Sequence, residues 1–318
     1  MHFANKNGTM ALVKRFTKTN REVYNMSIVA LLIGLGPLIG WGFFPTVASK
    51  FGGKPVHQII GATVGTLIFA IILAVVTSSG FPTGTNLLFA LLSGAGWGFG
   101  QIITFKAFEL IGSSRAMPVT TAFQLLGASL WGVFALGNWP GIGHKIIGFT
   151  ALVVILIGAR MTVWSERKEA SNAKNLRRAV VLLLIGEFGY WLYSAAPQAT
   201  SIDGLTAFLP QAMGMVIVAV IYGFMNMKSE NPFRNKITWL QIISGFFFAF
   251  GALTYLISAQ PNMNGLATGF ILSQTSVVLA TLTGIYFLKQ HKTSKEMVIT
   301  IIGLVLILVA ASVTVFIK

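Results

Sequence analysis

Asn86-Leu87-Leu88-Phe89-Ala90-Leu91-Leu92-Ser93-Gly94-Ala95-Gly96-Trp97-Gly98-Phe99-Gly100-Gln101-Ile102-Ile103-Thr104-Phe105 runs for twenty residues without one charged side chain. A helix of that length rises about 30 Å, the thickness of a bilayer's hydrocarbon core. The stretch reads as a membrane span. Nine similar runs flank it, at 28–48, 56–77, 116–136, 144–164, 178–198, 205–225, 237–258, 264–288 and 296–317, and the run holding the stretch is 86–108. Short breaks such as Phe81-Pro82-Thr83-Gly84-Thr85 separate them. The whole chain agrees: of 318 residues 54% are hydrophobic and 10% charged, with mean hydropathy +0.76. Soluble domains carry about 25% charged residues, so a soluble fold is excluded. Disorder is excluded too, because it requires low hydrophobicity. With no cysteine there is no disulfide framework.

The quoted stretch also recurs. Ser93-Gly94 and Gly100 match Ser244-Gly245 and Gly251. Near the same offset of about 152, Ile33-Gly34 and Pro45 match Ile185-Gly186 and Pro197, Gln58 and Gly61 match Gln211 and Gly214, and Gln124 matches Gln274. Five spans per half is an odd number, so the second half enters the bilayer from the opposite side. The expected fold is an all-α integral membrane protein of ten transmembrane helices in two inverted five-helix repeats, an architecture of secondary transporters. The expected division is a polar basic tail (1–25), a first repeat (26–164), a charged linker loop (165–177) and a second repeat (178–318).

The net charge of +15 lies almost entirely between the runs rather than on one basic face, so it carries topology rather than a nucleic-acid site. The loops after odd-numbered runs hold 16 of the 23 Lys and Arg. The positive-inside rule places those loops in the cytoplasm. The tail, with Lys6, Lys14, Arg15, Lys18 and Arg21, argues against that orientation, and a start at Met26 would remove the conflict.

Polar side chains inside the runs are costly in hydrocarbon unless paired. Gln101, Thr104 and Phe105 share a helix face, as do Thr120, Gln124, Gly127 and Trp131. Ser273 and Gln274 lie in the ninth run. Helix-to-helix hydrogen bonding explains any one of them. The set as a whole suits a cavity for a neutral polyhydroxylated ligand, since an amide both donates and accepts. Trp41, Trp97, Trp131 and Trp191 are available to stack on a sugar's apolar face. Glu187 is the acid deep in a span, which makes it a candidate for proton coupling. Tyr190 and Ser194, three and seven residues on, are placed to hold its neutral form. Its repeat equivalent at offset 152 is Leu35. The GxxxG pairs Gly94/Gly98 and Gly96/Gly100 suit close helix packing. Lys106, near the end of its run, is expected to reach the surface.

An enzyme is not expected. His2, His57, His144 and His291 sit in the tail or at run ends without paired spacing, Asp203 is the single aspartate, and no nucleophile or metalloprotease motif is present. No metal and no cofactor are expected.

These residues resemble the glucose/ribose porters, the bacterial sugar uptake proteins within the drug/metabolite transporter superfamily. The similarity runs from about Met26 to the C-terminus. It is carried by Pro37-Leu38-Ile39-Gly40-Trp41-Gly42, by Ser93 through Gln101 with Lys106, and by Met117-Pro118-Val119 with Thr121, Gln124, Leu125 and Gly127. In the second half it is carried by Gln260-Pro261, Ala267-Thr268, Ser273-Gln274 and Thr281-Leu282 with Gly284. The tail departs from the family pattern. The resemblance implies ten helices, a plasma-membrane location and uptake of a glucose- or ribose-class monosaccharide with protons, by alternating access. The expected sugar contacts are Trp41, Trp97, Gln101, Thr121, Gln124, Ser273 and Gln274. A drug or metabolite exporter on the same fold is the alternative, supported by Glu187 with Tyr190 and Trp191. A signalling or scaffold protein is the third reading, and it would not require polar residues in both halves.

Overall fold

The computed structural model describes residues 28–317, with 136, 138, 167–169, 200–201 and 261–262 excepted. The basic tail, Met26, Pro261 and the centre of the charged linker lie outside the described residues. Within them the chain is helical, with no strand. The long helices are α1 (Ile28–Phe51), α2 (Pro55–Thr77), α3 (Gly84–Ile111), α4 (Ser113–Ala135), α5 (Ile142–Thr162), α6 (Ala170–Ala195), α7 (Gly204–Asn226), α8 (Lys236–Ser258), α9 (Thr268–Phe287) and α10 (Ser294–Phe316). Among the described residues nine of these are long and apolar enough to cross a membrane.

The exception is α6. Its 26 residues suffice in length, but Lys174, Arg177, Arg178 and Glu187 spread charge along it. It also begins at Ala170, so part of the stretch expected to be a loop over 165–177 is helix. The physical reason is that Ala, Lys, Leu and Arg are good helix formers. Charge keeps a segment out of lipid without keeping it out of a helix.

Local signals set several ends. Asp203 accepts from the amides of Leu205 (2.9 Å) and Thr206 (3.0 Å) and so starts α7. Thr293 and Glu296 form a reciprocal capping box on α10. The side chains are distributed inside out. Val75 and Val76 of α2 and Ile301, Val305 and Val309 of α10 are exposed, whereas Thr63, Thr66, Ser93, Thr104 and Thr281 are buried. Only a lipid surround makes that arrangement favourable.

Packing follows an exchange rule. α3 lies against α6 and α7, while α8 lies against α1 and α2. α4 meets α6 as α9 meets α1, and α2 meets α7, α4 meets α9 and α5 meets α10. Among these contacts, adding or subtracting five from each helix number returns the same set.

Small residues make the closest approaches. A Cβ on Gly40 would collide with the amide of Gly251 and lie 2.7 Å from Phe247 O. A Cβ on Gly189 would collide with Gly96 O and lie 2.8 Å from the Gly100 nitrogen. The two contacts are equivalent, which pairs Gly40 with Gly189, Gly96 with Phe247 and Gly100 with Gly251. In the same way Gly65 against Ile242 O corresponds to Gly214 against Leu91 O. These corresponding contacts lie 149 residues apart between α1 and α6 and between α2 and α7, and 151 apart between α3 and α8. The matches read from sequence for Gly34 and Gly61 are displaced by three or four residues. One helical turn separates the two alignments, and a slip of one turn preserves the face, which is why the sequence does not reveal it.

Among the described residues, one face of the bundle carries more of the bonds between helices than the other. On the side of the loops after α1, α3, α5, α7 and α9, Gln241 donates to the carbonyls of Ala48 and Gly52, each at 2.9 Å. Gln290 accepts from the Ser114 amide at 3.0 Å, and Lys292 donates to Thr162 O at 2.7 Å. Glu296 accepts from Ser165 and from the Glu166 amide. Lys54 pairs with Glu230 at 3.2 Å. On the opposite side Asn264 donates to Ala30 O and Trp139 to Thr314 O.

Candidate functional site

α1, α3, α6 and α8 enclose an aromatic seam at the centre. Trp97 is buried, and its ring lies 4.2 Å from that of Phe248. Phe44 touches both rings. Trp41 donates its indole N–H to Phe248 O at 3.1 Å and lies beside Tyr255. Phe248 was not among the sequence candidates. The signal for it was present, because an offset of 151 from Trp97 lands on it. Trp41 and Tyr190 are equivalents in the same sense: a Cβ on Gly251 would meet the first, and one on Gly100 the second.

Polar groups line the same seam. The Tyr190 hydroxyl donates to Gln101 Oε1 at 2.9 Å and lies 2.9 Å from Thr104 Oγ1. About two turns along α3, Gln211 donates to Ser93 Oγ at 3.1 Å, and Ser93 donates to Tyr193 O at 2.8 Å. Thr121 is buried on α4. Gln124, half-buried, reaches back to Thr120 at 3.4 Å. Ser273 is buried on α9 and accepts from the neighbouring Gln274 amide at 3.2 Å. Thus Trp41, Trp97 and Gln101 come together on the seam. Thr121, Gln124, Ser273 and Gln274 sit on α4 and α9, which pack on each other. The three glutamines do not bond to one another. Lys106 holds its ammonium 5.2 Å over the Tyr222 ring.

Glu187 faces elsewhere. It lines a cleft of about 530 Å³ between α4 and α6, with Phe123, Gly127, Trp131, Phe188 and Trp191. Its Oε2 is buried without a hydrogen-bond partner, as is Trp131 Nε1. Tyr190 was expected to hold this carboxyl, but its hydroxyl is taken by Gln101 and Thr104. Ser194 donates to the Tyr190 carbonyl at 3.0 Å. With the offset of 149 the equivalent of Glu187 is Leu38 rather than Leu35. Both are apolar, so the carboxylate belongs to one half.

The bundle thus has an apolar exterior and a buried seam of amides, hydroxyls and indoles. Residues 32–317 match the family described as sugar transport protein. The chain belongs to that family. It is a multi-pass protein of the bacterial plasma membrane. A relative from Staphylococcus aureus, named "Putative ribose uptake protein RbsU", is 99% identical over 293 residues, which is 92% of this chain and all of the relative. A relative of the same name from Enterococcus faecalis is 68% identical over 295 residues, covering 92% of this chain and all of that one. A solved structure described as "Crystal structure of protein" superposes with TM-score 0.59 at 15% identity, over 91% of this chain and 99% of that one, and it shows the fold alone.

Proposed function

We propose that the chain takes up a ribose-class monosaccharide by alternating access, through ten spans arranged as two inverted repeats. The near-identical relative named for ribose uptake supports the substrate. The exchange rule in the packing supports the repeat, because equivalent helices make equivalent contacts. The observation that carries alternating access is the contrast between the two ends. The face of the odd loops is tied by Gln241, Gln290, Lys292 and Glu296, whereas the α4–α6 cleft lies in the half of the bundle toward the other face. With the odd loops in the cytoplasm, this is a form closed inward. Trp41, Trp97 and Gln101 on the seam, with Thr121, Gln124, Ser273 and Gln274 on α4 and α9, are the proposed sugar contacts, and Glu187 is the proposed proton-coupling group.

The test is counterflow. Proteoliposomes loaded with unlabelled D-ribose and offered labelled D-ribose should show transient accumulation that labelled D-glucose does not exceed. Absence of counterflow with every pentose and hexose offered would overturn the proposal. A second reading, export of amphipathic cations, is favoured by a carboxylate set among Trp131, Trp191, Phe123 and Phe188. It requires substrate-dependent efflux of tetraphenylphosphonium, which a sugar porter does not show.

A further inference from the structure

We infer that the cleft between α4 and α6 is itself a sugar subsite, in which Trp131 Nε1 and Glu187 Oε2 engage two hydroxyls of one monosaccharide. The inference rests on the monosaccharide reading and deepens it. Buried polar atoms are nearly always paired, and each exception requires an explanation. Here two exceptions belong to residues that line one cavity, and they are complementary: the indole N–H can only donate, and a carboxyl oxygen can accept. A cation would satisfy Glu187 and leave Trp131 bare. An anion would satisfy Trp131 and be repelled by Glu187. A hydroxyl both accepts and donates, so a ring carrying several of them satisfies both atoms at once.

The walls agree with that occupant. Trp131 and Trp191 meet edge to face, with centroids 5.3 Å apart and planes at 75°. Two rings at such an angle present an apolar corner for the C–H face of a pyranose or furanose. The volume of about 530 Å³ falls among small-molecule pockets, which span roughly 300–1,000 Å³. The cleft also adjoins the face of α4 that carries Gln124. Gly127 lines it and sits one turn from Gln124 on α4, and a Cβ there would come within 2.8 Å of Glu187 Oε1. The absence of that methyl lets the Glu187 carboxyl lie directly against α4.

The experiment measures labelled D-ribose binding to full-length protein in nanodiscs, beside counterflow. Trp131→Phe keeps the ring and removes the N–H, and it should weaken binding about tenfold, the consequence of one unpaired polar group. Glu187→Leu should do the same, while Glu187→Gln, which keeps an acceptor, should stay within about threefold of the native protein. A series of deoxyriboses adds a control that needs no variant to fold. At least one should bind the native protein several-fold more weakly than ribose does, with that difference lost in Trp131→Phe. If Trp131→Phe folds poorly, the Leu and Gln variants of Glu187 decide the matter. Native-like ribose binding in both Trp131→Phe and Glu187→Leu would overturn the subsite and leave the transport reading intact. Absence of counterflow in the native protein would overturn the transport reading itself. Displacement of tetraphenylphosphonium that depends on Glu187, with ribose binding indifferent to Trp131, would assign the cleft to a cation and overturn the inference.

Discussion

The Tyr190 hydroxyl donates to Gln101 Oε1 at 2.9 Å and so joins α6 to α3 across the seam between the halves. Both residues are buried. Tyr190→Phe leaves the amide oxygen without its donor, while Thr104 keeps its bond to the Gly100 carbonyl at 3.0 Å. The expected loss is about 1–3 kcal/mol of stability, the cost of an unsatisfied buried acceptor. Thermal unfolding of the pure variant in detergent checks it. In the double variant with Gln101→Leu the loss should be smaller than the sum of the two single losses. Simple additivity would mean that the bond contributes nothing.

Gly189 and Gly40 occupy equivalent close contacts, so each should reject a methyl group. Gly189→Ala and Gly40→Ala push a Cβ onto backbone atoms that cannot move alone, at a cost of about 1–3 kcal/mol or more. Gly80, with open space around it, is the control. The yield of monodisperse protein should fall for the first two and hold for Gly80→Ala. Equal yields would show that α1–α8 and α3–α6 tolerate separation.

Much of this fold is legible in the sequence, for reasons particular residues illustrate. The twenty uncharged residues from Asn86 to Phe105 have one physical reading, a membrane span, and the match of Ser93-Gly94 to Ser244-Gly245 leads to the expectation of a duplication. The start of α6 was not legible, because Arg177 and Arg178 argue about lipid and are silent about helix. The bond from Tyr190 was not legible either. Local spacing offered it Glu187, whereas the choice of Gln101, 89 residues away, depends on how helices cross. Phe248 was overlooked for a different reason: a search for polar and indole side chains passes over the phenylalanine that the offset of 151 picks out.

Lys292 provides a pH test outside the spans. Burial first, and then the Arg115 charge, push its ammonium down to about 8, with Glu296 acting in the other direction. Below pH 8 both folded and unfolded chains carry the proton, and the folded state bears the full penalty. Between about 8 and the usual lysine value near 10.4 the folded chain sheds the proton first, so this group's contribution to stability rises with pH. Lys292→Met removes the titration. The difference in unfolding temperature between native and variant protein should therefore change across pH 8 to 10, in favour of the native chain. A constant difference would place Lys292 in water.

Gln241 offers a direct test of alternating access. It breaks α8 near the odd-loop face, and its amide donates to the carbonyls of Ala48 and Gly52 at the end of α1. Those two bonds tie the halves where the proposed inward-closed form is sealed. If two forms exchange, a side chain that bonds in one of them favours that form by its differential interaction alone. Two neutral bonds contribute about 1–3 kcal/mol together, so Gln241→Met should shift the balance about tenfold toward the form open on the odd side. The chain has no cysteine, so Ser49→Cys, placed beside Ala48, is a reporter without background. Its modification by a membrane-impermeant thiol reagent, applied from the odd-loop side, should become several-fold faster when Gln241 is replaced. Saturating ribose should alter that rate in the native background, because a bound sugar changes how often the seal opens. If the rate is the same with and without Gln241, the odd-loop network is a fixed joint, and the moving element lies elsewhere in the bundle.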